Sequence, residues 1–292
     1  MTFLSPARFL RCMPLLVILI VSACATEQSL PEPGPVPIRF LLTFDDGPSG
    51  AVRNNATQRV LAVLDQNAVQ PAIKAVFFIQ TRAVRGGGTV AGHRLLLQEQ
   101  ADGHLLAFHT ATPRHANHRF LLPEELELSL QNGIDDLAAV AGQKPRLVRP
   151  PFWNYDARTL DIYHRYGLQM LLTDLSANDG VIYGVNWSWH KHSNLLKQLR
   201  LARTAWLSGA LPVVDGVTPI VVTFHDVNSY TSRHLEEYLR ILLQVANELG
   251  MPVAAKPFYY SREELERAVL ARTVSTAEHN PRLPGIWNWL WQ

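Results

Sequence analysis

Cysteine is nearly absent from this sequence of 292 residues. Its two cysteines, Cys12 and Cys24, both precede residue 25. A disulfide framework or a cysteine-based metal site is therefore excluded from the rest of the chain. Charge is also scarce, since 18% of the residues are charged while 47% are hydrophobic. This composition excludes a wholly disordered chain and supplies enough apolar material for a large core.

Neither sign of charge is in excess. The chain has 27 Lys and Arg residues against 25 Asp and Glu, and two of the arginines, Arg8 and Arg11, lie in a leading segment without acids. The remainder of the chain is balanced. This balance gives no reason to expect nucleic acid as a partner, and it identifies no protein partner.

No apolar run near the N-terminus is long enough to cross a membrane. The run Met13–Val21 has nine residues, including a proline, whereas a span needs about 20 apolar residues. It follows Arg8 and Arg11 and precedes small residues, a pattern typical of a secretory signal. The sequence therefore predicts a signal peptide over residues 1–23.

The residues around Cys24 resemble a bacterial lipobox, in which the cysteine is lipidated and becomes the mature N-terminus. Four prolines follow before residue 38, and such a segment favours an extended spacer. We expect residues 24–37 to be a lipidated linker, and the protein to be a periplasm-facing lipoprotein of the outer or inner membrane. If the lipobox is not used, cleavage near Ala23 or Ala25 gives a secreted protein.

From residue 38 onward, apolar runs typical of buried strands alternate with helical patterns. Strands are predicted at Ile38–Phe44, Ala75–Ile79, His104–Phe108, Leu147–Val148, Met170–Thr173, Ile220–Phe224 and Val253–Ala255, and helices at Asn55–Leu64 and Glu124–Ala141. This alternation predicts an α/β fold with a parallel sheet and outer helices. About seven strands in one chain favour a (β/α) barrel.

Polar side chains follow several of these strands. They are Asp45 and Asp46, His109 and Thr110, Arg149, and His225 and Asp226. In a (β/α) barrel the C-terminal ends of the strands meet on one face, where active sites are built. The sequence therefore predicts one shared site.

The residue types at these strand ends suit hydrolysis of an amide or an ester. Asp46 and two histidines would form a three-ligand site, and two histidines with one carboxylate commonly hold catalytic zinc. Asp45 points away from Asp46 along a strand, which leaves it free as a base, and Arg149 would pair with it. His225 would protonate the leaving group.

The same residues lie in segments that resemble the motifs of NodB-type polysaccharide deacetylases (carbohydrate esterase family four). These segments are Thr43–Pro48, Ala75–Phe78, Gly103–Thr110, Arg149–Phe152 and Val222–Asp226, in the family's order. The resemblance implies a distorted (β/α) barrel, which we assign to residues 38–270, followed by an aromatic tail at 271–292. It also implies an acetylated glycan as substrate and a divalent metal, with zinc first and cobalt, nickel or manganese as alternatives.

The resemblance further assigns roles to single residues. Asp45 is the base, Asp46 and His109 are metal ligands, and His225 is the acid. A backbone N–H near Phe152 would help to stabilise the oxyanion. Pro150, Phe152 and Trp153 are candidate substrate-binding residues, since Trp153 replaces the family's usual glycine and would narrow the cleft or stack on a sugar.

Two positions depart from the family and leave alternatives open. Pro113 occupies the usual place of the second metal histidine, and counting back from Pro123 favours His115 over the nearby His118. The family's Asp-Trp motif is blurred, so that either Asp174 or Asp179 would orient His225.

We expect removal of N-acetyl groups from an amino-sugar polymer or oligomer, such as a chitin-like glycan, peptidoglycan or an exopolysaccharide. One alternative is an O-acetyl esterase, for example on acetylated xylan. Another is a catalytically impaired carbohydrate-binding protein on the same barrel, because fold does not fix function. A non-haem iron oxygenase is a third alternative, but it would leave Asp45 and His225 without roles.

Overall fold

The computed structural model describes residues 36–179 and 190–276. The predicted signal peptide, the lipobox and most of the linker lie outside the described residues, as do residues 180–189 and the tail from residue 277. Within the described ranges, no helix combines the length and apolar character that crossing a bilayer requires.

Strands and helices alternate along the described chain. The strands are β1 (Ile38–Asp45), β2 (Val76–Gln80), β3 (Leu105–Thr110), β4 (Leu147–Val148), β5 (Gln169–Leu171), β6 (Leu175–Ser176), β7 (Thr218–His225), β8 (Val253–Phe258) and β9 (Thr273–Val274). The helices are α1 (Ala56–Asp65), α2 (Val90–Ala101), α3 (Pro123–Ala141), α4 (Ala157–Arg165), α5 (Lys191–Leu207), α6 (Ser229–Glu248) and α7 (Arg262–Ala271).

The strands form one curled sheet in the order β6-β7-β1-β2-β3-β4-β5-β9, with β8 paired to β1. All pairs are parallel except β5 with β9. The predicted α/β class and distorted barrel are confirmed as a half-barrel covered by helices. Each predicted strand is present. The two-residue strands β6 and β9 were not predicted, and β9 extends the sheet beyond residue 270.

The central strands of the sheet are packed in an apolar core below the strand ends. Every residue of β1 except Arg39 is buried, as expected for a parallel strand covered on both faces. The Phe44 ring stacks on Phe77 and Phe224 from the two neighbouring strands, with centroids 5.1 and 5.7 Å away. This packing fixes the positions at which β1, β2 and β7 end.

Polar side chains cap the helices that follow the strand-end loops. The capping residues are Asn55 for α1, Thr89 for α2, Asp156 for α4 and Asn228 for α6. Each side chain accepts a backbone N–H of the first helical turn, which fixes the residue at which the helix begins. Each loop between a strand and the next helix therefore ends at its capping residue.

Candidate metal and catalytic site

The ends of neighbouring strands bring the predicted polar residues together. Asp45 at the end of β1 lies opposite His225 at the end of β7 in the parallel register. His109 lies near the end of β3, and Arg149 directly follows β4. The predicted convergence of these residues at one edge of the sheet is therefore present.

Asp46 turns the chain sharply as β1 ends. Its φ of 71° lies in the left-handed region, which aspartate tolerates better than most residues. Its Oδ1 lies 3.2 Å from His109 Nε2 and 3.5 Å from His115 Nε2, and it accepts a 2.9 Å hydrogen bond from Gln80 Nε2. At the next position, a Cβ on Gly47 would lie 2.3 Å from Asp226 Oδ2, so any other residue there would force the Asp226 side chain to move.

Asp46, His109 and His115 form a set of donors that fits a divalent cation, and we call these three residues the metal cluster. One ligand atom from each lies within 4.8 Å of the other two. The Nδ1–H of His109 donates to the Arg149 carbonyl at 2.8 Å, which turns Nε2 toward the cluster. Two imidazole nitrogens and one carboxylate oxygen are the donors of many catalytic zinc sites.

The electrostatics keep Asp46 and His115 in the protonation states that metal binding requires. Burial opposes a charged Asp46, but the imidazoles of His115, His109 and His225 outweigh it and lower the pKa of this carboxyl. Burial lowers the pKa of His115 to about 4, against an opposing effect of Asp46. At neutral pH the carboxyl is ionised and the His115 ring is neutral.

His118, the alternative to His115, lies outside this cluster. Its ring is buried, stacks on Phe108, and places Nδ1 2.8 Å from the Tyr163 hydroxyl. Burial and the neighbouring imidazoles hold its pKa well below the ordinary value. The position of His118 is that of a core residue.

Asp45 and Arg149 form a buried ion pair at 2.7 Å. Asp45 is 3% exposed and Arg149 is 0% exposed. The guanidinium also donates to Thr43 Oγ1 and to the carbonyls of Leu171 and Leu172, at 2.7 to 3.2 Å. It lies over the Phe78 ring at 4.0 Å as well. Because Asp45 is buried away from solvent, its negative charge is compensated by the Arg149 guanidinium.

His225 is held by Asp179. Its Nδ1–H donates to Asp179 Oδ1 at 2.8 Å, and its backbone N–H donates to Oδ2 at 2.9 Å. Thr231 Oγ1 and Asn228 Nδ2 also donate to Asp179. Burial disfavours a charged imidazole, but the Asp179 carboxylate outweighs it and raises the pKa of His225 to about 10. Nε2 of His225 lies 3.9 Å from Asp46 Oδ2, on the side of the metal cluster.

Asp174 has other partners. It pairs with Arg272 and accepts the Val221 N–H at 2.7 Å. Of the two aspartates left open by the sequence, Asp179 contacts His225 and Asp174 does not.

The segment Pro150–Trp153 lies against the metal cluster. The Phe152 ring stacks on His115 with centroids 4.4 Å apart, and both Phe152 and Trp153 have positive φ. Trp153 is only 9% exposed, and its ring packs against the Arg149 guanidinium at 4.8 Å. Its backbone N–H donates to the Pro150 carbonyl. Most of its ring is therefore covered, and little of it is available to stack on a sugar.

Two further residues support the site without having been singled out by the sequence. Gln80, the last residue of β2, holds Asp46, and the rule that polar residues end strands could have found it. Thr57, in the first turn of α1, donates to Asp226 Oδ2 at 2.5 Å. Burial and the nearby Asp46 carboxylate raise the pKa of Asp226 to about 7, while Thr57 opposes the shift. No sequence pattern indicates the Thr57 contact.

Residues 36–171 match the family model described as polysaccharide deacetylase. This match covers 136 of the 292 residues, a little under half of the chain. The resemblance to NodB-type deacetylases is thus confirmed, and the matched range contains the residues of the metal cluster together with Asp45 and Arg149. No curated protein sequence matches the chain significantly.

Several solved structures share the fold of this chain. The chitin deacetylase of the fungal pathogen Colletotrichum lindemuthianum is 18% identical with a TM-score of 0.53, over 84% of this chain and 95% of that one. A family 4 carbohydrate esterase from Streptomyces lividans in complex with acetate is 21% identical with a TM-score of 0.50, over 75% and 93%.

A third similar structure is a mutant of a CE4 family pseudoenzyme with restored enzymatic activity, whose wild-type form is from Bacillus anthracis. It is 20% identical with a TM-score of 0.52, over 75% of this chain and 66% of that one. At these identities the likeness shows the fold.

Proposed function

We propose that the polysaccharide deacetylase domain is a metal-dependent hydrolase that removes N-acetyl groups from an amino-sugar polymer or oligomer. The observation that carries this proposal is that one cluster of metal-ligand donors and two ion pairs lie together at one edge of the sheet. The Asp46–His109–His115 cluster lies with Asp45–Arg149 and His225–Asp179, so that a ligand set, a base and an acid occur together. The match of residues 36–171 to the polysaccharide deacetylase model supports the same chemistry.

Asp46, His109 and His115 would hold the metal. A bound divalent cation supplies Lewis acidity, which lowers the pKa of water and polarises the acetyl carbonyl. We propose zinc, because its catalytic sites commonly use two histidines and one carboxylate, with cobalt, nickel and manganese as the alternatives.

The remaining residues manage the protons. Asp45 accepts a proton from the water whose oxygen attacks the acetyl carbonyl carbon. The Arg149 guanidinium stays paired with Asp45 and orients its carboxylate. His225, held in its charged form by Asp179, donates a proton from Nε2 to the leaving nitrogen as the C–N bond breaks. Acetate and a free amine are the products.

The turn at Phe152 would stabilise the charge that develops on the acetyl oxygen. Its ring stacks on His115, so its backbone is held beside the metal cluster. A backbone N–H at such a position acts as an oxyanion donor in acyl transfer. We assign this role to the N–H near Phe152.

We further propose that the enzyme acts in the bacterial envelope as a lipoprotein. The support is the sequence alone, where a short apolar run precedes Ser22, Ala23 and Cys24. Lipidation at Cys24 would anchor the chain to the membrane, and the substrate would be a glycan of the envelope or the extracellular space.

The test is acetate release by the purified protein after metal removal and separate restoration of zinc, cobalt, nickel or manganese. Chito-oligomers, peptidoglycan and acetylated xylan are offered in parallel. Metal-dependent acetate from an amino-sugar substrate is the expected result, whereas acetate from xylan alone identifies an O-acetyl esterase. Bound metal without acetate from any of the three would favour a binding role.

Two variants assign the roles. Asp46→Ala should lose both the metal and acetate release, because a ligand is removed. Asp45→Asn should retain the metal and lose acetate release, because only the base is removed. Metal content is measured by atomic spectroscopy alongside activity.

A further inference from the structure

Three loops that follow β1, β2 and β3 form one surface next to the metal cluster. They comprise residues 46–55, 81–89 and 111–122, and we call them the site-face loops. Backbone hydrogen bonds join them, from Gly50 N–H to the Arg85 carbonyl at 2.8 Å and from Val84 N–H to the Pro113 carbonyl at 3.3 Å. Asp46 begins the first loop and His115 belongs to the third, so this surface borders the proposed site.

The charge on the site-face loops is almost entirely positive. They contain the five arginines Arg53, Arg82, Arg85, Arg114 and Arg119. Their one acidic residue is Asp46, which belongs to the metal cluster. The chain as a whole is nearly balanced, so the excess of arginine in these loops is a local property of this face.

Two of these arginines have acidic partners outside the loops. Arg82 forms a bidentate pair with Asp136 at 2.8 and 3.0 Å, and Arg119 lies 3.8 Å from Asp156. Arg53, Arg85 and Arg114 are exposed, and within residues 36–179 and 190–276 none of the three forms an ion pair. Like charges on interlocked loops repel one another, and a surface without a ligand for them is ordinarily interspersed with acids.

We infer that the substrate of the proposed deacetylase is an acidic glycan, in which sugars near the acetylated residue carry anionic groups that Arg53, Arg85 and Arg114 bind. This inference rests on the proposed function and adds the substrate class. The guanidinium presents a planar fork of N–H donors that matches carboxylate and phosphate oxygens. We expect a glycan chain bound at the metal cluster to run over the adjoining loops and to place its anionic groups near these side chains.

The experiment compares two substrates that share one backbone and differ in charge. Tetra-N-acetylchitotetraose is neutral. Its derivative oxidised at C6 carries carboxylates on the same N-acetylated sugars. We expect kcat/KM to be about tenfold higher for the carboxylated substrate at low salt, mainly through KM, because surface charges steer and hold an anionic ligand. The preference should shrink at high salt, which screens exposed charges.

The triple variant Arg53→Gln, Arg85→Gln and Arg114→Gln should bring the ratio of the two kcat/KM values close to one. Arg146→Gln is the control for the single variants, because it removes one positive charge at an exposed arginine that pairs with Glu266 and lies ahead of β4, at the opposite end of the sheet. It should leave the ratio unchanged. The three single variants repeat the comparison if the triple variant does not fold.

The outcomes separate this inference from the proposed function. Equal kcat/KM for both substrates, or a preference that survives the triple variant, overturns the inference while leaving the deacetylase intact. If neither substrate yields acetate, the proposed function fails, and calorimetric binding of the two tetrasaccharides then tests the inference by itself. Arginine-dependent binding to phosphatidylglycerol vesicles, without preference for the acidic tetrasaccharide, would assign the surface to a membrane and overturn the inference.

Discussion

His225 and Asp179 are joined by two hydrogen bonds, one from the imidazole and one from the backbone N–H. The register of the sheet explains why the partner is Asp179. In the parallel pairing of β6 with β7, Leu175 lies opposite Val222. Asp174 therefore lies beside Val221, in the middle of β7, while Asp179 lies past the end of β6, where β7 also ends.

Asp179→Asn should lower kcat about a hundredfold, which is within the usual contribution of a positioned acid. The amide preserves the shape but removes the charge that raises the pKa of His225 to about 10. The basic limb of the pH–rate profile should therefore move to lower pH. Asp174→Asn is the matched control, and an equal loss of kcat in both variants would contradict the assignment of Asp179.

Arg149→Met should destabilise the fold by about 3 to 5 kcal/mol, because it leaves the Asp45 carboxylate buried without its partner. Adding Asp45→Asn to this variant should restore part of the loss, since the uncompensated charge is then gone. Urea unfolding of the wild type, the two single variants and the double variant measures the coupling. Additive losses would show that the pair does not act as a unit.

His115→Ala and His118→Ala should have different effects, although the two residues are three positions apart. His115→Ala removes a member of the metal cluster and should weaken zinc binding about a hundredfold or more. His118→Ala removes a buried ring and its Tyr163 contact, so it should lower the free energy of unfolding and leave zinc affinity close to that of the wild type. Zinc titration calorimetry and urea unfolding give the two readouts, and the reverse pattern would exchange the assignments.

His104→Asn should make the fold less sensitive to acid. Burial, with Lys74 and Arg262, lowers the pKa of His104 to about 3. The neutral buried ring therefore favours the folded state fully above the ordinary pKa of 6.5, and this contribution is lost as the pH falls toward 3. Asparagine does not titrate and can still accept the Ala75 N–H that His104 Nδ1 accepts at 3.2 Å.

The measurement is the free energy of unfolding in urea between about pH 7 and about pH 5. The wild type should lose more of it than the variant, by up to about 1.4 kcal/mol per pH unit. Parallel curves for the two proteins would show that His104 does not titrate differently in the folded and unfolded states.

Local patterns identified most of the sheet. Continuous apolar runs such as Ile38–Phe44 predict strands buried on both faces, and β1 and β7 are strands of this kind. The two-residue strands β6 and β9 have no periodicity of their own, because their pairing depends on neighbours that are distant in sequence. The predicted helix Glu124–Ala141 corresponds to α3, which begins one residue earlier, at Pro123.

What the sequence by itself determined is the set of chemical groups and the strand end on which each one lies. Residue type decides what can ligate, accept or donate a proton, and a parallel sheet carries consecutive strand ends to one edge. The choices between His115 and His118, and between Asp179 and Asp174, depended on tertiary structure. In each case both residues have the right type and a similar spacing. Only the path of a loop, or the register of a short strand, decides which side chain faces the site and which one is buried in the core or paired elsewhere.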